Sequence, residues 1–149
     1  MGFSGTYHFK GTALSDADPS GPADAEPFLS VDIHDSDFTT VTYAPIGPGT
    51  GFAYLGYTPR IYFDSEGASP PTDVELEARG LVAWWMSLHV EATATDQQAK
   101  QFEIAAFLAA DEEPPDEEPT DDADVFVEIK TARFLSALGL PLPSDLADI

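Results

Sequence analysis

The chain contains no cysteine, and only six of its 149 residues are basic. The first absence excludes disulfides, thiolate metal sites and a cysteine nucleophile. The second argues against direct DNA or RNA binding, because phosphate recognition rests on lysine and arginine. Only Lys10, Lys100, Lys130, Arg60, Arg79 and Arg133 are there to supply it. No apolar run reaches the roughly 18 residues of a membrane-spanning helix. The opening Met1–His8 lacks the basic and apolar regions of a secretory signal. Gly2 and Thr6 fit the loose myristoylation pattern. One acyl chain anchors weakly, however, and no basic patch stands beside it to hold an anionic membrane. The expectation is a cytoplasmic protein without a membrane partner. Catalytic signatures are missing too: no G-x-S-x-G elbow, H-E-x-x-H pair or Walker loop occurs. No catalytic residue or cofactor is assigned, and a non-enzymatic role is expected.

What the chain has in excess is acid. Twenty-seven Asp and Glu residues give a formal charge of −21. A compact domain of this size is ordinarily built with a net charge of magnitude about 2–8. Self-repulsion at higher values destabilises the compact state, so the excess points to a use beyond solubility. The acidity does not mean general disorder, because 43% hydrophobic and 11% aromatic residues are globular values. One domain spanning 1–149 is expected, large enough to bury roughly 70% of its unfolded surface.

The apolar residues alternate along much of the sequence. Tyr7 and Phe9, then Leu29, Val31 and Ile33, then Val41 and Tyr43 are each interleaved with polar residues, the period of a half-buried strand. From Val74 to Ala94 every even position is apolar or glycine. That pattern predicts a long strand, with Gly80 at a bulge, bend or turn. Thr72 and Glu75 form the capping-box pattern that supports a helix instead. Phe102, Ile104, Ala106 and Leu108 continue the alternation as the second arm of a hairpin, against a competing helix from Asp96. Val125, Val127 and Ile129 predict a last strand. Thr131–Leu138 predicts a short helix ended by Gly139 and Pro141. The fold expected is therefore mainly β: an antiparallel sandwich or barrel with long hairpins and one short C-terminal helix. The alternative is α+β, with helices near 73–88 and 96–110. Gly47-Pro48-Gly49-Thr50-Gly51 reads as a hairpin turn, since no lysine and no helix pattern follow it.

Two acidic groups are candidates for partner contact. The first is the tract Asp111, Glu112, Glu113, Asp116, Glu117, Glu118, Asp121, Asp122 and Asp124, rich in proline and without a base, expected to be a flexible loop. Without its nine charges the chain still carries −12, so the acidity is both local and dispersed. The second is Asp32, Asp35 and Asp37, with His34 among them. Asp32 and His34 fall on one strand face, and Asp35 and Asp37 in the following turn. Carboxylates placed this way suit calcium or a transition metal, but the fixed ligand spacing of an EF-hand is absent and Asp-Ser-Asp is an ordinary turn composition. His8, His34 and His89 all fall on polar phases, where spacing alone identifies no general-base partner. Trp84 and Trp85 are adjacent, so one is expected in the core and the other against a neighbouring element. Tyr43, Phe52, Tyr54, Tyr57, Tyr62 and Phe63 gather around the glycine-rich turn. An exposed subset beside carboxylates would suit a protein interface, where aromatics anchor and charges steer.

The run Phe38–Gly47 followed by Gly51-Phe52-Ala53-Tyr54-Leu55-Gly56 is similar to the strand–turn–strand segment of immunity proteins that neutralise deaminase-type bacterial polymorphic toxins. The small, very acidic, cysteine-free chain resembles that family as well. The resemblance covers about a seventh of the sequence. It implies a stoichiometric inhibitor whose carboxylates stand in for nucleic-acid phosphates on a basic nuclease or deaminase. The acidic tract and extended alternating segment have no counterpart in that pattern. Two other readings stand beside it. One is adaptation to a saline cytoplasm, with the charge unrelated to a ligand-binding or structural role. The other is a calcium-dependent interaction module.

Overall fold

A computed structural model of the protein describes residues 4–11, 13–15, 27–35, 37–111, 127–143 and 146. Five strands form one antiparallel sheet: β1 (Gly5–Lys10), β2 (Ala13–Ser15), β3 (Phe28–His34), β4 (Phe38–Ala44) and β5 (Phe52–Leu55). Their spatial order is β2-β1-β3-β4-β5. The helices among the described residues are α1 (Pro59–Tyr62), α2 (Val74–Leu88), α3 (Ala94–Ala105) and α4 (Val127–Ala137). The architecture is α+β. No second sheet and no barrel closure is present among the described residues.

The alternation read in the first third of the chain sets the register. Leu29 pairs with Tyr43, Val31 with Val41 and Ile33 with Thr39, while Phe9 stands opposite Leu29. These residues share one sheet face and are almost fully buried. The helices pack there, contributing Ala78, Leu81, Val82 and Trp84 from α2, Ile104 from α3, and Val127, Phe134 and Leu135 from α4. A hydroxyl pair crosses this layer, Thr39 Oγ1 to Thr131 Oγ1 at 2.7 Å. The other face is polar along β1 and β3. Thr6 Oγ1 donates to Asp32 at 3.0 Å, and His8 Nδ1 lies 2.7 Å from Ser30 Oγ.

The long strand expected from Val74 to Ala94 is replaced by α2 and the start of α3. The buried residues of α2 include the consecutive pairs Glu77–Ala78 and Leu81–Val82. A strand sends neighbours to opposite faces, whereas a helix lying on a sheet accommodates such pairs on one broad stripe. Asp73 caps this helix by accepting from the Leu76 N–H at 3.1 Å, one residue after the Thr72 of the sequence pattern. Gly80 sits in the helix interior, with no bulge or turn. The turn 47–51 rests on it so closely that an added Cβ would lie 2.7 Å from the Ile46 carbonyl oxygen and 3.0 Å from the Gly49 Cα.

The second hairpin arm at 101–110 is also replaced. Thr93 and Asp96 form a reciprocal capping box that starts α3, and only Leu108 keeps a strand-like bridge, to Leu55. Val127 and Ile129 belong to α4, so the last expected strand is helical and the C-terminal helix starts earlier than Thr131. Val125 lies outside the described residues. The expected terminator holds: Gly139 has φ 77°, and the Leu140 N–H reaches back to the Leu135 carbonyl at 3.0 Å.

Candidate functional site

The turn between β3 and β4 brings acid and aromatic residues together. His34 ends β3, Phe38 opens β4, and the two stand opposite each other in the register. Their rings lie 5.1 Å apart between centroids. Pro59 starts α1, where a fixed φ and a missing N–H are tolerated, and the helix lasts one turn. It delivers Tyr62 against Phe38 at 5.0 Å and against His34 at 5.7 Å. Phe63 follows, edge-on to Tyr62 at 4.9 Å, and remains 53% exposed. The Tyr57 ring also meets Tyr62, at 6.0 Å between centroids. Edge-to-face and tilted pairs of this kind hold each other in place without a covering layer.

Carboxylates frame these rings. Asp37 accepts a hydrogen bond from the Tyr62 hydroxyl at 2.8 Å, and its own N–H donates to the His34 carbonyl at 2.9 Å. The bond to Asp37 is the main cause that raises the Tyr62 phenol above its ordinary value, with burial and the charges of Asp37 and Asp35 adding to it. Asp35 has φ 51°, and its N–H donates to Ser4 Oγ at 3.0 Å. Asp64, directly after Phe63, has φ 49°. These are the two described non-glycine residues with positive φ, a region aspartate tolerates better than bulkier residues. Asp35 places its charge near the Tyr62 phenol, and Asp64 directly follows Phe63 in the chain. Asp32 and His34 are exposed on the same open face of β3, as the alternation implied.

Of the acidic tract, only Asp111 falls within the described residues; Glu112, Glu113, Asp116, Glu117, Glu118, Asp121, Asp122 and Asp124 lie outside them. Asp111 is an internal tether. It accepts from the Thr72 N–H at 2.7 Å and lies 3.8 Å from Arg60. Among the described residues no three His, Asp or Glu side chains are grouped to hold a metal ion. Asp32, His34, Asp35 and Asp37 are thus not gathered into such a group.

A second acidic residue was hidden by the strand reading. Glu77, placed on the polar phase by alternation, is 2% exposed. It accepts from the Tyr43 hydroxyl at 2.8 Å, the Thr50 N–H at 3.0 Å and the Thr50 hydroxyl at 3.1 Å. Burial, then the hydrogen bond to Glu77 and its charge, raise the Tyr43 phenol well above its ordinary value. This arrangement anchors the 47–51 turn to α2. The aromatics near the turn thus divide: Tyr43 belongs to the core, while Tyr62 and Phe63 belong to the ridge. The signal that could have found the ridge was the pairing of an aromatic doublet, Tyr62-Phe63, with a following aspartate.

Neither a protein-family model nor a curated protein nor a solved structure matches this chain. The ridge around Tyr62 and Phe63 presents carboxylates beside partly exposed rings.

Proposed function

We propose that this protein is a non-enzymatic inhibitor of immunity-protein type, which binds a basic nucleic-acid-acting toxin, a nuclease or deaminase, and blocks it one-to-one. The observation that carries this reading is the ridge itself: Asp35 and Asp37 beside Tyr62 and a half-exposed Phe63, on a chain of charge −21. Long-range attraction between a strongly acidic surface and a basic one accelerates encounter. Aromatic side chains then supply contact area that survives once charges are screened. The carboxylates take the place of nucleic-acid phosphates on the partner.

Inhibition is the direct test. Purified protein is added to individual basic nuclease and deaminase toxin domains, and cleavage or deamination is followed. One-to-one inhibition of a particular domain is expected, weakened by Phe63→Ser and by the pair Asp35→Asn and Asp37→Asn at unchanged melting temperature. Equal, weak inhibition of every basic enzyme tested, insensitive to those variants, would reduce the protein to a nonspecific polyanion and reject the proposal.

The −12 that remains outside the acidic tract favours a second reading, adaptation to concentrated salt. Melting temperature against potassium chloride separates the two. Screening of surface charge is largely complete by a few tenths molar, where the Debye length is about 5 Å. A plateau there fits retention of charge for a partner. Continued gain toward about 3 M salt, well past that screening limit, fits habitat.

A further inference from the structure

Helix α1 is one turn long, and a helix of that length does not stand on its own hydrogen bonds. Its orientation is set by what holds it. Pro59 is buried at its start. At its far end the Tyr62 hydroxyl donates to Asp37 at 2.8 Å, and the Tyr62 ring packs on Phe38 and His34. Between these points Arg60 places Nη1 3.8 Å from Asp111 Oδ2. Arg60 and Tyr62 are two residues apart, roughly 200° around a helix axis, so the two carboxylates grip opposite sides of α1. The main chain carries this grip onward. The Phe63 N–H donates to the Pro59 carbonyl at 2.9 Å, and the Ser65 N–H to the Arg60 carbonyl at 3.0 Å. Arg60 and the half-exposed Phe63 thus belong to one closed unit.

Asp111 is itself a fixed point. The Ala109 N–H donates to the Tyr54 carbonyl at 2.7 Å, and Leu108 bridges Leu55, so this segment is fastened to β5. Asp111 Oδ2 also accepts from the Thr72 N–H at 2.7 Å, just ahead of α2. The Arg60 and Asp111 side chains are only 20% and 24% exposed, so salt screens their attraction less than that of a surface pair.

We propose that Asp111, paired with Arg60, is a positioning residue for the ridge: the pair ties α1 to the segment fastened on β5, and so places Tyr62 and Phe63 beside the β3–β4 turn. Asp111 opens the acidic tract in the sequence, yet it serves the ridge from within. The positioning stands on the geometry, and its consequence for inhibition rests on the toxin-inhibitor reading.

The test uses NMR on the whole protein. Tyr62 is followed through the titration of its phenol and through nuclear Overhauser contacts with the Phe38 and His34 rings. The bond to Asp37 is the main cause that raises this phenol. Arg60→Gln is decisive because charge and position give opposite signs. Removing a cation near a phenol raises it by charge alone. Releasing α1 loosens the bond to Asp37 and lowers the phenol toward its ordinary value. The downward shift is expected, with weaker contacts to both rings at neutral pH. Asp111→Asn keeps the size of the side chain and an acceptor for the Thr72 N–H, and should give the same fall. The double variant should add little to either single change. Arg60→Lys should restore much of the wild-type behaviour. Arg79→Gln, which breaks an exposed pair with Glu75 on α2, should leave Tyr62 unmoved. An upward or absent shift in Arg60→Gln, with the ring contacts unchanged, overturns the proposal. Inhibition assays on Asp111→Asn separate the two readings. Loosened ring contacts with inhibition unchanged uphold the positioning and count against the inhibitor reading. Intact ring contacts with weakened inhibition assign Asp111 to direct contact and reject the positioning.

Discussion

Replacing Gly80 by alanine is expected to destabilise the protein, although the same change in an unobstructed helix interior stabilises by about 1 kcal/mol. The reason is the seat of the 47–51 turn. An added Cβ would press on the Tyr43 hydroxyl, 2.7 Å from the Ile46 carbonyl oxygen and 3.0 Å from the Gly49 Cα. Two of these neighbours are backbone. The third is a phenol only 1% exposed and tied to Glu77. Lifting the turn to relieve the overlap costs about 1–3 kcal/mol. Losing the hydrogen bond from Tyr43 to a charged acceptor costs about 1.5–3 kcal/mol. After the helix-propensity gain, the net loss is about 2–4 kcal/mol. In a chain of this length that lowers the melting temperature by roughly 5–15 °C. Thermal and urea unfolding followed by circular dichroism measure it, with Gly67→Ala as the control. The Cβ of that control meets only Ser65 Oγ, at 3.9 Å, and should change stability by less than about 0.5 kcal/mol. A Gly80→Ala protein as stable as wild type, or more so, would refute the seating of the turn on α2.

Thr93→Ala removes the hydroxyl that accepts from the Asp96 N–H at 3.1 Å and should cost about 1 kcal/mol, with faster amide exchange in the first turn of α3 and near-complete rescue by serine. The phenols of Tyr43, Tyr54 and Tyr62 are all raised above their ordinary value of 10.0. Above that pH the unfolded chain releases these protons while the folded protein still holds them. Stability present below pH about 10 should therefore fall as pH rises further. Urea titrations in this alkaline window should show a shallower decline for Tyr43→Phe; an identical slope would remove Tyr43 as a contributor.

Strands β1, β3 and β4 were legible in the sequence because each buries one face, whereas β2 was not read and β5 lacks the alternation. Leu29, Val31 and Ile33 carry the period-2 pattern without interruption, and their partners on β4 carry it too. Helices α2 and α3 were legible only as alternatives, whereas the C-terminal helix was expected outright and begins earlier than expected. In α2 an in-phase set of even residues coincides with a helix whose buried stripe is wide enough to include odd ones, Glu77 and Leu81. Spacing alone does not separate these cases when both sides of a segment hold apolar residues. The one capping pair read from the sequence, Thr72 and Glu75, pointed to a helix but missed its cap, Asp73, by one residue, and the Thr93–Asp96 box that starts α3 was not read.

Of the candidate site, Asp35 and Asp37 were legible as exposed turn carboxylates, and Tyr62 and Phe63 as aromatics in need of a location. Their meeting was not, since α1 crosses to His34 and Phe38 from more than twenty positions along the chain. Composition by itself determined the excess of negative charge and the exclusion of thiol chemistry, because both are sums over residues that no fold can alter. Alternation determined which face of β1, β3 and β4 is buried, because side chains on neighbouring strand residues must point to opposite sides. Only the tertiary structure decided that Glu77 is a buried acceptor and that Gly80 is a contact point. Each of these depends on which segments approach through space, and that is settled by packing α2 against the sheet.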